Sequence, residues 1–165
     1  MSKYNLLNSV KNIHNCKILE IGVAEGNTLK SLLEINNTLE YTGVDPWIWS
    51  IELTRPPHGL KQLKSQDDID GWYHKVLDII KPFSNRAKVI RGFSKNIIPT
   101  LSEKFDVIHI DGDHTYDGCK WDLDNTLPLL KDGGTIVVDD VRTWDGVTQA
   151  WKEFKEQYPH IKVLP

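Results

Sequence analysis

Two short apolar runs each end in acids. In FDVIHIDGDH the run Val107–Ile110 passes straight into Asp111 and Asp113, with His114 next. In TIVVDD the run Thr135–Val138 passes into Asp139 and Asp140. Both runs read as strands, and Asp117–Leu130 between them reads as a helix with Trp121, Leu123, Leu127 and Leu130 near its apolar side, stopped by Gly133-Gly134. A strand, a crossover helix and a second strand make a parallel pair with like ends together. Asp111, Asp139 and Asp140 are therefore expected at one carboxyl edge, where open α/β sheets bind ligands. Acids gathered there repel one another unless a cation sits among them, and oxygen ligands without clustered Cys or His favour Mg²⁺ or Ca²⁺ over zinc, Mg²⁺ foremost with so few carboxylates. Taken singly, each Asp is just as well a strand end or a helix cap. His114 stands three positions beyond Asp111, and an imidazole with an ordinary pKa of about 6.5 suits a general base.

A second constellation lies near the start. Lys17–Gly22 (KILEIG) is a buried strand opening into Val23–Gly26 and the helical run Asn27–Glu34. In Glu20-Ile-Gly22-Val-Ala-Glu-Gly26, one glycine stands where the strand must turn sharply and another where backbone and ligand approach closely. The pattern is neither GxGxxG nor a Walker A, because no GK[ST] follows. The next strand, Glu40–Asp45, ends in an acid 19 residues after Gly26. At that place a carboxylate accepts both hydroxyls of a ribose, although an isolated Asp after a strand also serves as a turn residue.

The remaining elements frame these two. Ser2–His14 is a short helix lying on the sheet or over the site. Pro46–Arg86 is a long connection that settles into an amphipathic helix with Ile69, Trp72, Tyr73, Val76, Ile79 and Ile80 on one side. Trp47, Trp49, His58 and Trp72 either line a pocket or pack the strand ends, and a connection of this length reads as a substrate cover. Lys88–Arg91 is the third strand, followed by the turn Gly92-Phe93-Ser94 and the helical Asn96–Leu101. Gly146–Gln157 is a further helix, and Ile161–Leu164 is the last apolar run. This alternation predicts a doubly wound, mostly parallel α/β sheet.

With 165 residues, 39% hydrophobic and 26% charged, the chain (1–165) is expected to form a single domain. A net charge of -3 gives no whole-chain attraction to nucleic acid or an anionic membrane. No stretch approaches the ~18 apolar residues of a membrane span, and Met1–Asn15 has no signal-peptide core. Cys16 and Cys119, without CxxC spacing, fit a reducing compartment, so a soluble cytoplasmic protein is expected.

Together, Glu20-x-Gly22-x-x-x-Gly26, Asp45, Gly92-x-Ser94 and Asp111 resemble a class I S-adenosylmethionine-dependent methyltransferase between about Lys17 and Asp140. Within it, GFSKNIIPTL is similar to the adenine-side turn of catechol-type O-methyltransferases, and IDGDH with VVDD to the metal site of that branch and of similar sugar O-methyltransferases. The resemblance implies a Rossmann-like methyltransferase fold that moves a methyl group from S-adenosylmethionine to a small-molecule hydroxyl, on a sugar or catechol-like diol. It implies that Glu20, Gly22, Val23, Ala24 and Gly26 receive the amino acid part of the cofactor, Asp45 the ribose, and Phe93, Ser94 and Lys95 the adenine, with Pro46 also in contact with the cofactor. Asp111 would border the cofactor and, with Asp139 and Asp140, hold Mg²⁺ or another divalent cation. His114 stands where the family base can be, which in catechol enzymes is Lys, and Asp113 is the rival for that role. Family members usually add two strands after the fifth, one of them antiparallel. Here only Ile161–Leu164 remains, so the sheet is expected to be shortened at its C-terminal edge or completed by a partner, an open edge favouring a homodimer.

Two other readings stay open on sequence. A nicotinamide-dependent oxidoreductase shares the sheet topology, but Glu20 stands in place of the first glycine of its motif and several acids would face a pyrophosphate. A non-catalytic adenosyl-binding module is the other.

Overall fold

The computed structural model describes residues 2–50 and 63–165. Six strands make one sheet: β1 (Lys17–Ile21), β2 (Glu40–Asp45), β3 (Ala87–Arg91), β4 (Phe105–Ile110), β5 (Leu130–Val138) and β6 (Lys162–Leu164). Their order is β3-β2-β1-β4-β5-β6 and every neighbouring pair is parallel. The expected doubly wound Rossmann-like sheet is therefore present, and no antiparallel strand occurs among the described residues. Parallel strands covered on both faces read as largely apolar runs, and β1 after Lys17 and β4 after Asp106 are buried at every position, the polar Glu20 and His109 included.

The two faces are covered by different helices. Ile18, Val107 and Val137 point toward α1 (Ser2–Val10), α2 (Asn27–Ile35) and α3 (Gln66–Ile80), which contribute Leu6, Val10, Leu29, Leu32, Ile69 and Val76. Leu19, Ile21, Ile108, Ile110, Ile136 and Val138 point the other way, toward α5 (Tyr116–Thr126) and α6 (Asp145–Gln157), which contribute Cys119, Leu123, Val147, Ala150 and Phe154. The short α4 (Ser94–Ile97) leads to Ile98 on this second face. Each aliphatic side chain so covered is worth roughly 1.5–3 kcal/mol of burial.

Two local features depart from the sequence expectation. The helix expected over Asp117–Leu130 ends at Thr126, because Pro128 cannot extend the ladder and the chain tightens into a 3₁₀ turn over Leu127–Leu129. Gly133-Gly134 do not precede the last strand of the pair but lie inside it: β5 begins at Leu130, Gly133 adopts φ +74°, and the β4–β5 register shifts between Phe105 and Val107. The final apolar run pairs in parallel with β5, Val163 opposite Ile136, and forms the outer strand of that side.

Cys16 and Cys119 are buried free thiols, pushed up to about 12 chiefly by burial, which makes them packing residues rather than nucleophiles. Among the described residues, no helix is long and apolar enough to cross a membrane.

Register is what assembles the site. Ile21, Val44, Ile110 and Val138 lie side by side across β2, β1, β4 and β5. The ladder continues one step past them, through Gly22 N to Val44 O at 2.9 Å, Asp111 N to Ile21 O at 2.8 Å and Asp139 N to Ile110 O at 2.9 Å. The residues that follow the strands are thereby brought to one rim. The strand order reverses between β1 and β4, and ligands of open α/β sheets bind at such a switch point.

Candidate active site

The turn after β1 is set by a steric requirement. Gly22 has φ +87°, and a Cβ there would stand 1.9 Å from the carbonyl oxygen of Asp111, so only glycine lets β1 and the β4 loop approach this closely. The next amides, of Val23 and Ala24, both donate to Asp45 Oδ2 at 2.9 Å, and the Trp47 amide donates to Asp45 Oδ1 at 2.7 Å. The Trp47 indole N–H closes the frame on Ala24 O at 2.9 Å. Asp45 is thus the brace that shapes the glycine loop. A carboxylate has about four lone-pair directions, so one remains on Oδ1 for a ligand hydroxyl.

Beside this loop lies a cavity of about 750 Å³, within the range of small-molecule sites. Of the residues expected to hold the cofactor, Gly22, Val23, Ala24, Asp45, Pro46, Phe93, Ser94 and Asp111 line it. Gly26, at φ +80° before α2, and Lys95, on α4, are not among the lining residues. Phe93 and Ile48 are 53% and 50% exposed, a large apolar surface at the cavity wall that a flat ligand would cover. The long connection contributes Trp47, Ile69 and Trp72 to the lining. Trp49 instead packs against the core on the α1–α3 face, and His58 lies outside the described residues.

Glu20 is not part of this lining. It faces the α1–α3 side of β1 and is 1% exposed. Its carboxylate accepts from the Tyr41 hydroxyl and lies 2.9 Å from His109 Nδ1. Burial and the neighbouring Glu20 hold Tyr41 neutral, well above the ordinary phenol range. Strand alternation explains the difference: Glu20 shares a face with Ile18, whereas the cavity opens beyond the end of the strand.

The acidic rim divides into two donor groups that share Asp111. His109, Asp111 and Asp139 offer ligand atoms all within 4.8 Å of one another, and so do Asp111, His114 and Asp140. Asp139 and Asp140 therefore flank Asp111 in separate groups instead of closing a single triad with it. His109 Nε2 is buried without a hydrogen-bond partner, while Glu20 fixes the other ring nitrogen, the arrangement in which a carboxylate orients a metal-binding imidazole. A buried ring nitrogen without a partner, on a histidine grouped with two carboxylates, fits a divalent cation.

His114 is stacked on Trp144, with ring centroids 5.1 Å apart. Its Nε2 lies 3.4 Å from Asp140 Oδ2 and 3.6 Å from Asp111 Oδ1. Burial opposes a charged ring here, but Asp111, Asp140 and Asp113 outweigh it, so His114 keeps its proton above the ordinary imidazole range. The rival base, Asp113, lines the cavity but is turned back on its own helix. Its Oδ1 accepts from Thr115 N at 2.9 Å, and Gly118 packs so tightly on it that a Cβ would stand 2.3 Å from Asp113 Cγ.

One lining residue was not singled out from sequence. Asp122, on α5, is 2% exposed, its Oδ1 has no hydrogen-bond partner, and it lines the cavity beside Ser94. Burial foremost pushes its carboxyl up to about 6, against a lowering hydrogen bond from Ser94. The signal in the sequence was an acid on the buried side of the helix, one turn from Gly118 and Thr126. A folded pKa above the unfolded value gives stability that is full below about pH 4 and lost as pH rises through about 6, at most about 3 kcal/mol. Asp122→Asn is accordingly expected to stabilise the chain by ~1–3 kcal/mol at pH 8 and to leave it unchanged near pH 4. Urea denaturation at the two pH values measures this, and equal effects at both would remove the electrostatic explanation.

The family model described as a methyltransferase domain matches residues 19–141. Comparison with proteins of curated function finds no match. Among solved structures, precorrin-6y C5,15-methyltransferase from Geobacter metallireducens superposes with a TM-score of 0.65 at 17% identity, over 94% of this chain and 70% of that one. The O-methyltransferase TomG from Streptomyces achromogenes, in complex with SAM, gives 0.62 at 18%, over 96% and 67%. The O-methyltransferase NovP gives 0.67 at 17%, over 95% and 72%. At such identities the likeness is one of fold.

Proposed function

The chain belongs to the methyltransferase-domain family, and from that premise we propose that it moves a methyl group from S-adenosylmethionine to a hydroxyl oxygen of a small molecule, a sugar or catechol-like diol, with the help of a divalent cation, Mg²⁺ first. The observation that carries this reading is the meeting of three features at the β1/β4 switch point: the glycine loop braced by Asp45, a cavity of about 750 Å³, and the paired donor groups around Asp111. The bound SAM of TomG and the O-methyltransferase names of TomG and NovP lend it support.

In this reading the backbone of Gly22–Ala24 receives the amino acid end of the cofactor. Asp45 takes a ribose hydroxyl on its remaining lone pair, and Phe93 and Ser94 cover the adenine. The cofactor supplies an activated methyl group on a sulfonium, so the protein's task is positioning and electrostatics. Asp111 would hold the cation with Asp139 or Asp140, each with the histidine of its own donor group beside it, and the chemistry a cation would supply there is to lower the pKa of an acceptor hydroxyl. His114 takes the acceptor proton. It becomes a competent base only when Asp111 and Asp140 are neutralised, because their field otherwise keeps the ring protonated. Asp113 is less well disposed for that role, with Oδ1 engaged at the start of α5.

Methyl transfer from labelled S-adenosylmethionine to a panel of sugar and catechol diols tests the proposal. Turnover is expected to vanish with EDTA and return with Mg²⁺. Turnover indifferent to the chelator would take the cation out of the mechanism, and no transfer to any diol would refute the acceptor class.

A further inference from the structure

We infer that Arg91 and Gln66 are positioning residues for the cofactor: by closing on the Trp47 carbonyl they hold the strained turn that aims Trp47 at the glycine loop. The inference rests on S-adenosylmethionine being the ligand of the cavity. It gives a task to two side chains, at the end of β3 and the start of α3, that do not themselves line that cavity.

Trp47 stands in a conformation that its own backbone disfavours. Its φ is +44°, in the left-handed region that strains any residue with a side chain, and such a residue persists only where its surroundings over-determine it. The bonds around Trp47 do this from two sides. Toward the cofactor loop, its amide donates to Asp45 Oδ1 at 2.7 Å and its indole N–H to Ala24 O at 2.9 Å. From the other side, Arg91 Nη2 at 2.9 Å and Gln66 Nε2 at 2.8 Å both donate to its carbonyl. Asp70 Oδ1 ties these donors together, accepting from Arg91 Nη2 at 2.5 Å and from Gln66 Nε2 at 3.0 Å. Gln66 Oε1 accepts from the Trp49 amide at 2.9 Å, which fixes the orientation of the carboxamide. The Arg91 guanidinium also lies over the Tyr73 ring, 5.1 Å from its centroid, and Tyr73 packs on Trp47 with ring centroids 4.8 Å apart.

What the clamp does for the ligand follows from the atoms it shares with the loop. Asp45 and Ala24, itself at φ +49°, take their places from the two N–H groups of Trp47. Without donors on the Trp47 carbonyl, the turn relaxes toward negative φ, which swings the amide off Asp45 and the indole off Ala24. Asp45 then loses a bond that fixes its carboxylate, and the ligand must order the loop on binding, at a cost the clamp removes in advance. Arginine suits the position better than lysine, because its planar fork serves a carbonyl and a carboxylate while its face stacks on an aromatic ring. A clamp that served the fold alone would change stability and leave the affinity of the folded chain as it was.

The test is isothermal titration of the whole chain with S-adenosylhomocysteine, in wild type, Gln66→Glu, Arg91→Lys, Trp47→Phe and the double variant Gln66→Glu/Trp47→Phe, with the fold of each checked by urea denaturation. Gln66→Glu keeps the acceptor for the Trp49 amide but sets an acceptor against the Trp47 carbonyl, and Arg91→Lys keeps the charge without the fork. Each single variant is expected to weaken binding by about 5- to 20-fold in the folded chain. The double variant should lose far less than the product of its two single losses, because both changes act through Trp47. Affinities within about twofold of wild type in Gln66→Glu and Arg91→Lys, at whatever stability, overturn the inference and leave the clamp a feature of the fold. A double-variant loss equal to the product also overturns it. Either clamp substitution decides the matter alone should the other not fold. If wild type itself does not bind S-adenosylhomocysteine, the cofactor reading falls and takes this inference with it, whereas wild-type binding with unaffected variants removes the inference only.

Discussion

Changing Asp111 to alanine is expected to lower methyl transfer by about 10³-fold or more while the chain stays folded. Among the described residues, Asp111 is the one common to both donor groups at the rim, its side chain borders the cavity, and it lies 3.6 Å from His114. One substitution therefore removes a shared cation ligand and a partner that orients the base. Losing an outer-shell partner alone typically costs 10–100-fold, and a direct ligand costs more. The fold should tolerate the change because the Asp111 side chain is about a third exposed and because removing one of several neighbouring carboxylates relieves repulsion. Its backbone contacts with β1 do not involve the side chain. Rate measurements alongside a melting curve decide the matter, and a rate within tenfold of wild type would exclude Asp111 from the chemistry.

The second large effect is expected at Gly22. Gly22→Val should cost more than about 4 kcal/mol or prevent folding, because its Cβ would overlap the Asp111 carbonyl and φ +87° is strained for a β-branched residue. Gly133 is the natural control. It too has positive φ, at +74°, but nothing lies within 4 Å of a Cβ built there. Gly133→Ala should cost only the backbone strain, about 1 kcal/mol. Denaturant melts of the two variants separate close approach from conformational strain, and equal losses would mean that the strand–loop contact at Gly22 carries no special weight.

Why both positions can be named at all follows from how parallel sheets are built. Strand residues buried on both faces read as unbroken apolar runs, so β1, β2, β4 and the inner half of β5 were legible, and parallel pairing forces their carboxyl ends to one rim. That step alone brought Gly22, Asp45, Asp111, Asp139 and Asp140 together before any coordinates. What apolar runs do not carry is finer than a strand. Which face a residue takes at the end of a strand depends on register, so Glu20 was assigned to the ligand although its side chain points into the α1–α3 layer with Tyr41 and His109. How acids partition around a shared neighbour depends on side-chain rotamers, which place Asp139 and Asp140 in two groups that share Asp111. Asp122 was passed over because a single acid on a helix reads as solvent-exposed, and only its position opposite Gly112 and Ser94 reveals that it is enclosed. Pro128 marks where α5 must end, but the apolar spacing through Leu127 and Leu130 carries the expected helix past it.

The most direct test of the account is isothermal titration of the whole chain with S-adenosylhomocysteine and, separately, with NAD. The account predicts one-site binding of S-adenosylhomocysteine and no heat from NAD. Binding of NAD with no response to S-adenosylhomocysteine would contradict it.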